Sequence, residues 1–365
     1  MQKAKNILLC PLDWGLGHAS RCVPIIDALR NMGHHVIIGA SGRPLAFLQQ
    51  EFPDLKYIDF PGYNIRYPQN SSMYRSMLLQ APKILKRIKQ EHKRLKSIVG
   101  EHQIDLVISD NRYGLWHPDI PSVIMSHQLR IMAGSRMEEA MLRRINFRYL
   151  RKFTACWVPD VAGERNLSGA LSHFEMKDLA PIYIGPQSRF SVYQQQEEIA
   201  GKYELLVSIS GPEPQRSLFE KKVLEQIQSL KIKTLILAGK PGEDQNQNIN
   251  KWIEYRSHMD SRELKQILLN AEMILSRPGY STIMDLASLG KKAIFIPTPG
   301  QTEQEYLARY HAGQGHCVCA EQKDFQLAEL INACKSVQGF DLMNETSAYQ
   351  ELIESLFKDG AGAGN

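Results

Sequence analysis

The stretch Met273–Pro297, MILSRPGYSTIMDLASLGKKAIFIP, reads as one strand–turn–helix–strand unit. Met273–Ser276 is an apolar run of strand length, and Arg277-Pro278-Gly279 interrupts it. Ser281 and Thr282 open a helical run that ends at Leu289-Gly290, and Ala293–Pro297 is the next strand. Strands joined through a helix pair in parallel and have both faces covered. Working outward, the same alternation recurs. In the second half it predicts further strands at Leu205–Ser210, Thr234–Ala238 and His316–Cys319, with helices near Gln215–Leu230, Ser261–Leu269, Thr302–Tyr310 and Phe325–Cys334. In the first half it predicts strands at Asn6–Cys10, His35–Gly39, Lys56–Phe60, Asp105–Ser109, Ser122–Met125 and Ala155–Pro159, with helices at Ala19–Met32, Tyr74–Val99 and Ala133–Lys152. Two such series in tandem predict an α/β protein of two doubly wound, Rossmann-like domains.

The length of 365 residues agrees, since one hydrophobic core rarely serves more than about 250–300 residues. The expected organisation is a first domain over 1–185, a linker over 186–202, a second domain over 203–345, a helix over 346–358 returning to the first domain, and a disordered tail over 359–365. The linker is read from Gly185-Pro186 and the polar run Gln194–Glu198. With 43% hydrophobic and 23% charged residues the chain is neither collagenous nor disordered. No apolar run approaches the roughly 18–20 residues of a membrane span. The apolar run near the start is four residues long, too short for a secretory signal core, so secretion is not expected. The six cysteines follow no metal-ligand spacing and read as reduced core thiols of a cytoplasmic protein. Net charge is +5, but Arg75–Lys152 alone carries +9.

Ligands of doubly wound sheets bind beyond the carboxyl ends of the strands, so the turns there carry the chemistry. The turn Asp13-Trp14-Gly15-Leu16-Gly17-His18 follows the first strand. Gly15 and Gly17 let backbone approach a ligand closely, and His18 stands at a helix start. The helix dipole there disfavours a second positive charge and keeps the imidazole neutral, the form a general base needs. A dinucleotide fingerprint would need a third glycine where Ser20 stands. Asp110 ends the strand Asp105–Ser109 and is placed to orient His18, or to cap a turn before Asn111. His127 and Gln128 follow the next strand and are acceptor-side candidates, with backbone satisfaction the blander alternative. Arg21 and Arg277 are candidates for neutralising a phosphate or an acidic acceptor.

The second domain adds a set of ligand determinants. Free N–H groups where Ser281 and Thr282 open a helix form an anion site. Asp285, one turn further, reaches a diol beyond that anion. Glu303 and Gln304 start another helix after the strand ending at Pro297, and suit several hydroxyls at once, as on a sugar.

This block resembles the donor site of nucleotide-sugar glycosyltransferases of the GT-B fold, in particular the MurG-like group with its family 28 C-terminal domain and the related UDP-glucuronosyltransferase type. The turn Gly15–His18 is similar to that group's N-terminal Gly-x-Gly-His loop. The resemblance implies two domains facing a cleft, with Gly279, Ser281 and Thr282 on the diphosphate, Asp285 on the ribose and Glu303 and Gln304 on the donor sugar. It implies His18 as the acceptor-side base and matches Ser210-Gly211 to the group's phosphate turn. Two departures stand out: Pro212 and Pro214 replace small residues, and Asp285 is shorter than the group's usual glutamate.

The expected activity is therefore transfer of a sugar from a nucleotide donor, a UDP-sugar, to an acceptor of the lipid-linked or cell-envelope kind, by inverting displacement. No Asp-x-Asp pair occurs, so no metal or other cofactor is expected. The alternatives are a nucleotide-sugar hydrolase or non-hydrolysing epimerase on the same fold, and a non-catalytic membrane- or nucleic-acid-binding scaffold. The basic helices Lys83–Lys96 and Arg143–Lys152, the first beside apolar residues such as Ile84, Leu85 and Ile88, fit an anionic membrane surface or an ordinary solvated face. Nucleic acid is not expected, because no stacking or reading motif accompanies them. The expected setting is cytoplasmic, with a peripheral place on the inner membrane face.

Overall fold

A computed structural model describes residues 3–63, 73–133, 135–176, 179–193, 203–240, 245–343 and 349–359. The chain divides into two compact units, the first holding the C-terminal helix and the described residues up to Val192 other than Met73, the second holding Met73 and the described residues from Tyr193 to Met343.

In the first unit the order is β1 (Asn6–Pro11), α1 (Leu16–Asn31), β2 (His35–Ala40), α2 (Gly42–Glu51), β3 (Lys56–Asp59), α3 (Met73–His102), β4 (Leu106–Asp110), β5 (Ser122–Met125), α4 (Arg136–Leu150), β6 (Ala155–Val158) and β7 (Ile182–Tyr183). The strands form one parallel sheet in the order β3-β2-β1-β4-β5-β6-β7. Apolar residues lie on both of its faces, with Ile7 and Leu9 of β1 in one core and Leu8 and Cys10 in another. That explains why the strands read as unbroken apolar runs rather than alternating ones.

The second unit comprises β8 (Tyr203–Ser208), α5 (Gln215–Ile227), β9 (Thr234–Leu237), β10 (Asn246–Asn248), β11 (Ile253–Arg256), α6 (Ser261–Asn270), β12 (Ala271–Ser276), α7 (Tyr280–Ser288), β13 (Ala293–Phe295), α8 (Thr302–Gly313), β14 (Cys317–Cys319) and α9 (Leu327–Lys335). Its sheet runs β10-β11-β9-β8-β12-β13-β14, parallel except for β10 against β11. The last helix, α10 (Tyr349–Asp359), buries Ile353 and Leu356 in the core of the first unit.

Three features differ from the sequence reading. Residues 186–193 do not begin a linker: Gln187, Ser188 and Phe190 are buried, and Tyr349 of α10 donates to the Gln187 carboxamide. The rest of the expected linker, 194–202, and the tail from 360 lie outside the described residues. Helix α2 and the strands β7, β10 and β11 were not foreseen. The six cysteines are free thiols, five of them buried.

Candidate active site

Strand order reverses between β1 and β4 in the first unit and between β8 and β12 in the second. Neighbouring loops part at such points and leave a crevice. In the first sheet Pro11 pairs with Asp110, so the turn after β1 and the end of β4 meet there. Gly15 is the N-cap of α1 with φ of 114°, a conformation that favours glycine. The helix starts at Leu16, three residues earlier than the apolar pattern indicates, which puts His18 inside its first turn. Asp13 ties the turn down by accepting from the Tyr63 amide at 3.2 Å.

The structure brings His18, Arg21, Asp110 and His127 into one cluster. His18 Nδ1 lies 2.9 Å from Asp110 Oδ2. Arg21, one helical turn after His18, donates from Nε to Asp110 Oδ1 at 3.0 Å, and Nη2 donates to the same oxygen. Its Nη1 lies 2.9 Å from His127 Nδ1 and its Nη2 2.9 Å from His18 Nδ1. Asp110 is fully buried, and the His18 side chain is 14% exposed. His18 Nε2 makes no hydrogen bond to any described residue. Burial works to raise the Asp110 carboxyl, but the charge of Arg21 and the hydrogen bonds from His18 and Arg21 hold it below the usual carboxylate range. Burial lowers His18 below the usual histidine range, against the pull of Asp110 and with the push of Arg21. Together they set a carboxylate held towards its ionised form against Nδ1 of an imidazole held towards its neutral form, whose far nitrogen meets no described partner.

Arg21 is thus not a solvated side chain. It is 2% exposed and committed within the cluster. Gln128 stands apart from these four: its amide donates to Ser126 Oγ at 3.2 Å, and its carbonyl and that of Leu129 accept from Asn146 of α4 at 3.5 and 3.0 Å. Asn146 holds the loop carrying His127, a role that no motif marks in the sequence.

In the second sheet Ser208 pairs with Ser276, which sets the Ser210-Gly211 turn beside the turn after β12. Gly211 has φ of 115° and is exposed. Gly279 is the N-cap of α7, and the first N–H groups of that helix, including those of Ser281 and Thr282, lack intrahelical partners. Asp285 follows one turn later and is 9% exposed. Glu303 and Gln304 lie in the first turn of α8. Gln304 turns back on its own loop, its Oε1 accepting from the Thr298 amide at 2.8 Å.

Arg277 is 2% exposed and does not reach outward. It donates to the carbonyls of Ile296 (2.9 Å), Pro297 (3.0 Å) and Gln215 (3.1 Å) and to the Gln322 carboxamide. It therefore fastens three loops at the carboxyl edge of this sheet. Its Nε and the Thr298 hydroxyl are buried without hydrogen-bond partners among the described residues, and a Cβ on Gly211 would lie 3.8 Å from the first and 3.6 Å from the second. No carboxylate pairs with this guanidinium among the described residues, and burial lowers it to about 9.

Of the two basic helices, α3 buries Ile88, Leu95 and Ile98 in its own unit and leaves Leu85 exposed among Lys83, Lys86 and Lys89. The longer exposed apolar row is on α4, where Met137, Met141 and Ile145 are 82%, 47% and 48% exposed and Arg143, Arg144 and Arg148 flank them. No helix among the described residues is long and apolar enough to cross a membrane.

Residues 215–361 match the glycosyltransferase family 28 C-terminal domain, and residues 6–137 match glycosyl transferase family 1. An uncharacterized glycosyltransferase of Methanosarcina acetivorans is 22% identical over 83% of this chain and 82% of its own length. The Lactococcus lactis enzyme UDP-N-acetylglucosamine--N-acetylmuramyl-(pentapeptide) pyrophosphoryl-undecaprenol N-acetylglucosamine transferase is 25% identical over 27% of this chain, and the match spans only 26% of that relative. Among solved structures, the glycotransferase of kitacinnamycin superposes with a TM-score of 0.66 at 14% identity, covering 98% of this chain and 95% of that one. MurG of Acinetobacter baumannii superposes with a TM-score of 0.56 at 13% identity, covering 97% and 99%. The fold is that of the GT-B glycosyltransferases.

Proposed function

We infer that this chain, a glycosyltransferase of the GT-B fold, moves a sugar from a nucleoside diphosphate donor, a UDP-sugar, to a hydroxyl of a lipid-linked acceptor with inversion at the anomeric carbon. The observation that carries the reading is the His18–Asp110 pair, a buried carboxylate 2.9 Å from Nδ1 of an imidazole whose Nε2 meets no described partner. In this reading Nε2 takes the acceptor proton as the oxygen attacks, while Asp110 holds the ring in place and stabilises the imidazolium that forms. The amides at Gly279–Thr282 and the positive end of α7 take up the charge of the departing diphosphate. Asp285 holds the ribose diol, Glu303 and Gln304 the donor sugar, and no metal or cofactor is required. Arg277 acts from beneath the Gly211 turn, adding a positive charge close to the phosphates rather than a direct grip.

The lipid-linked acceptor is supported by the pyrophosphoryl-undecaprenol acceptor in the name of the Lactococcus relative and by the exposed row on α4. An apolar row flanked by arginines suits the boundary of an anionic bilayer, where each basic residue adds about 1 kcal/mol. The test is incubation of the purified protein with a panel of UDP-sugars, with and without membrane-lipid extract. Acceptor-dependent release of UDP is expected. Prompt release of UDP and free sugar without acceptor would favour the hydrolase, and absence of any UDP or UDP-sugar binding would leave only a binding scaffold. H18A is expected to lose transfer at least about 100-fold while still binding UDP.

A further inference from the structure

His18 Nδ1 has two neighbours that make opposite demands on it. It lies 2.9 Å from Asp110 Oδ2 and 2.9 Å from Arg21 Nη2. A ring nitrogen presents either a proton or a lone pair, so Nδ1 can donate to the carboxylate or accept from the guanidinium, but not both. Arg21 keeps its protons throughout.

What each choice leaves behind decides between them. If Nδ1 accepted from Arg21, Asp110 Oδ2 would lose the one hydrogen bond it makes among the described residues, inside a fully buried site. An unpaired buried carboxylate oxygen is costly. If Nδ1 donates to Asp110, Arg21 still holds Oδ1 through Nε and Nη2 and faces His127 through Nη1. The proton therefore belongs on Nδ1. A third state, the imidazolium, would also satisfy Asp110, and an unopposed buried carboxylate would draw His18 into it. Arg21 opposes that, because it neutralises the carboxylate and sets its own charge against the ring.

We propose that Arg21 is the positioning residue that keeps His18 a neutral, Nδ1-protonated imidazole, with Nε2 left as the proton acceptor. The assignment builds on the reading of His18 as the base. The charged and titratable groups facing the ring are Asp110 at the end of β4, His127 after β5 and Arg21 on α1 itself. Burial and the charges of Arg21 and His127 push against protonation, and only Asp110 favours it.

The test is two-bond proton–nitrogen correlation on the full chain labelled with nitrogen-15 histidine, recorded between pH 5.5 and 8 without substrate. Wild-type His18 is expected as the neutral Nδ1–H tautomer at pH 7 and still so at pH 6.5. In R21M it is expected as imidazolium at pH 7, titrating at least about one pH unit higher, whereas R21K, which keeps the charge, stays neutral. R21M strands a buried carboxylate and endangers folding, so the wild-type and R21K spectra decide the matter without it. An imidazolium or an Nε2–H tautomer in the wild type at pH 7, or an imidazolium in R21K, overturns the proposal, as does an R21M ring that titrates like the wild type. In transfer assays the acid limb of kcat/KM should rise in R21M with recovery at higher pH. A uniform loss at every pH marks a merely structural arginine and counts against the assignment. The spectra need no turnover, so absence of sugar transfer would remove the function proposed above without deciding this point.

Discussion

Arg112 and Arg277 are both buried guanidinium groups beyond the strand ends of their sheets, held in contrasting ways. Arg112 is 1% exposed, pairs with Glu91 at 2.7 Å and donates to the carbonyls of Gly39, Phe60 and Pro61. Burial works against its charge, and Glu91 more than restores it. Arg277 has the carbonyls and the face of Phe219, 4.2 Å away, but no carboxylate among the described residues. R112M is therefore expected to cost about 3–5 kcal/mol in denaturant unfolding, because it leaves Glu91 buried and unpaired. R277M is expected to unfold at a smaller cost but to weaken UDP binding about tenfold or more, which corresponds to 1.4 kcal/mol. Equal UDP affinity in calorimetry would remove Arg277 from the donor site. D285A should likewise weaken binding of UDP more than of pyrophosphate, since only the nucleotide carries the ribose diol. Position along the chain made Arg21, Arg277 and Asp285 candidates, whereas Arg112 was not among them. The direction of each side chain did not follow from it, because Arg21 meets Asp110 and His127 across 89 and 106 residues.

At the level of elements, α10 and α4 make opposite uses of their apolar residues. In α10, Ile353 and Leu356 are 1% and 5% exposed within the core of the first unit. I353A should cost about 2–5 kcal/mol in thermal or denaturant unfolding, whereas a solvated helix would show almost no change. On α4 the inner face, Phe147 and Leu150, is packed, while Met137, Met141 and Ile145 are not. Changing those three to serine should leave the melting temperature within a degree or two and reduce sedimentation with anionic vesicles. Unchanged vesicle binding would sink the membrane reading. The foreseen elements were those with an apolar period of their own. Helix α2 begins Gly42-Arg43-Pro44, residues that punctuate a sequence but that a helix tolerates in its first turn. Strand β10 is Asn246-Gln247-Asn248, exposed throughout, and exists as a strand through its antiparallel pairing with β11. The apolar side of α3 was legible from its period, but its destination was not, and Ile88 onward went inward.

At the scale of the whole molecule, burial lowers His18, His34, His92, His117 and His316 below the ordinary histidine range. The unfolded chain takes up these protons near pH 6.5 while the folded chain resists them, so stability falls as pH drops below about 6.5. Asp110 and Asp160, held below the usual carboxylate range, extend the loss to lower pH, and Glu91, raised by burial, acts in the opposite sense. Thermal melts should show a lower Tm at pH 5.5 than at pH 7.5, and a flat profile would contradict this assignment of the histidines. The sequence by itself determined two doubly wound sheets and the turns that carry their chemistry. Apolar period and Gly/Pro punctuation are local properties, and parallel pairing through helices then puts those turns at one edge of each sheet. Tertiary structure alone decided which partner each arginine takes, which face of α4 is left open and which groups surround the His18 ring. Those outcomes depend on burial and on charges that meet only when distant strands pair side by side.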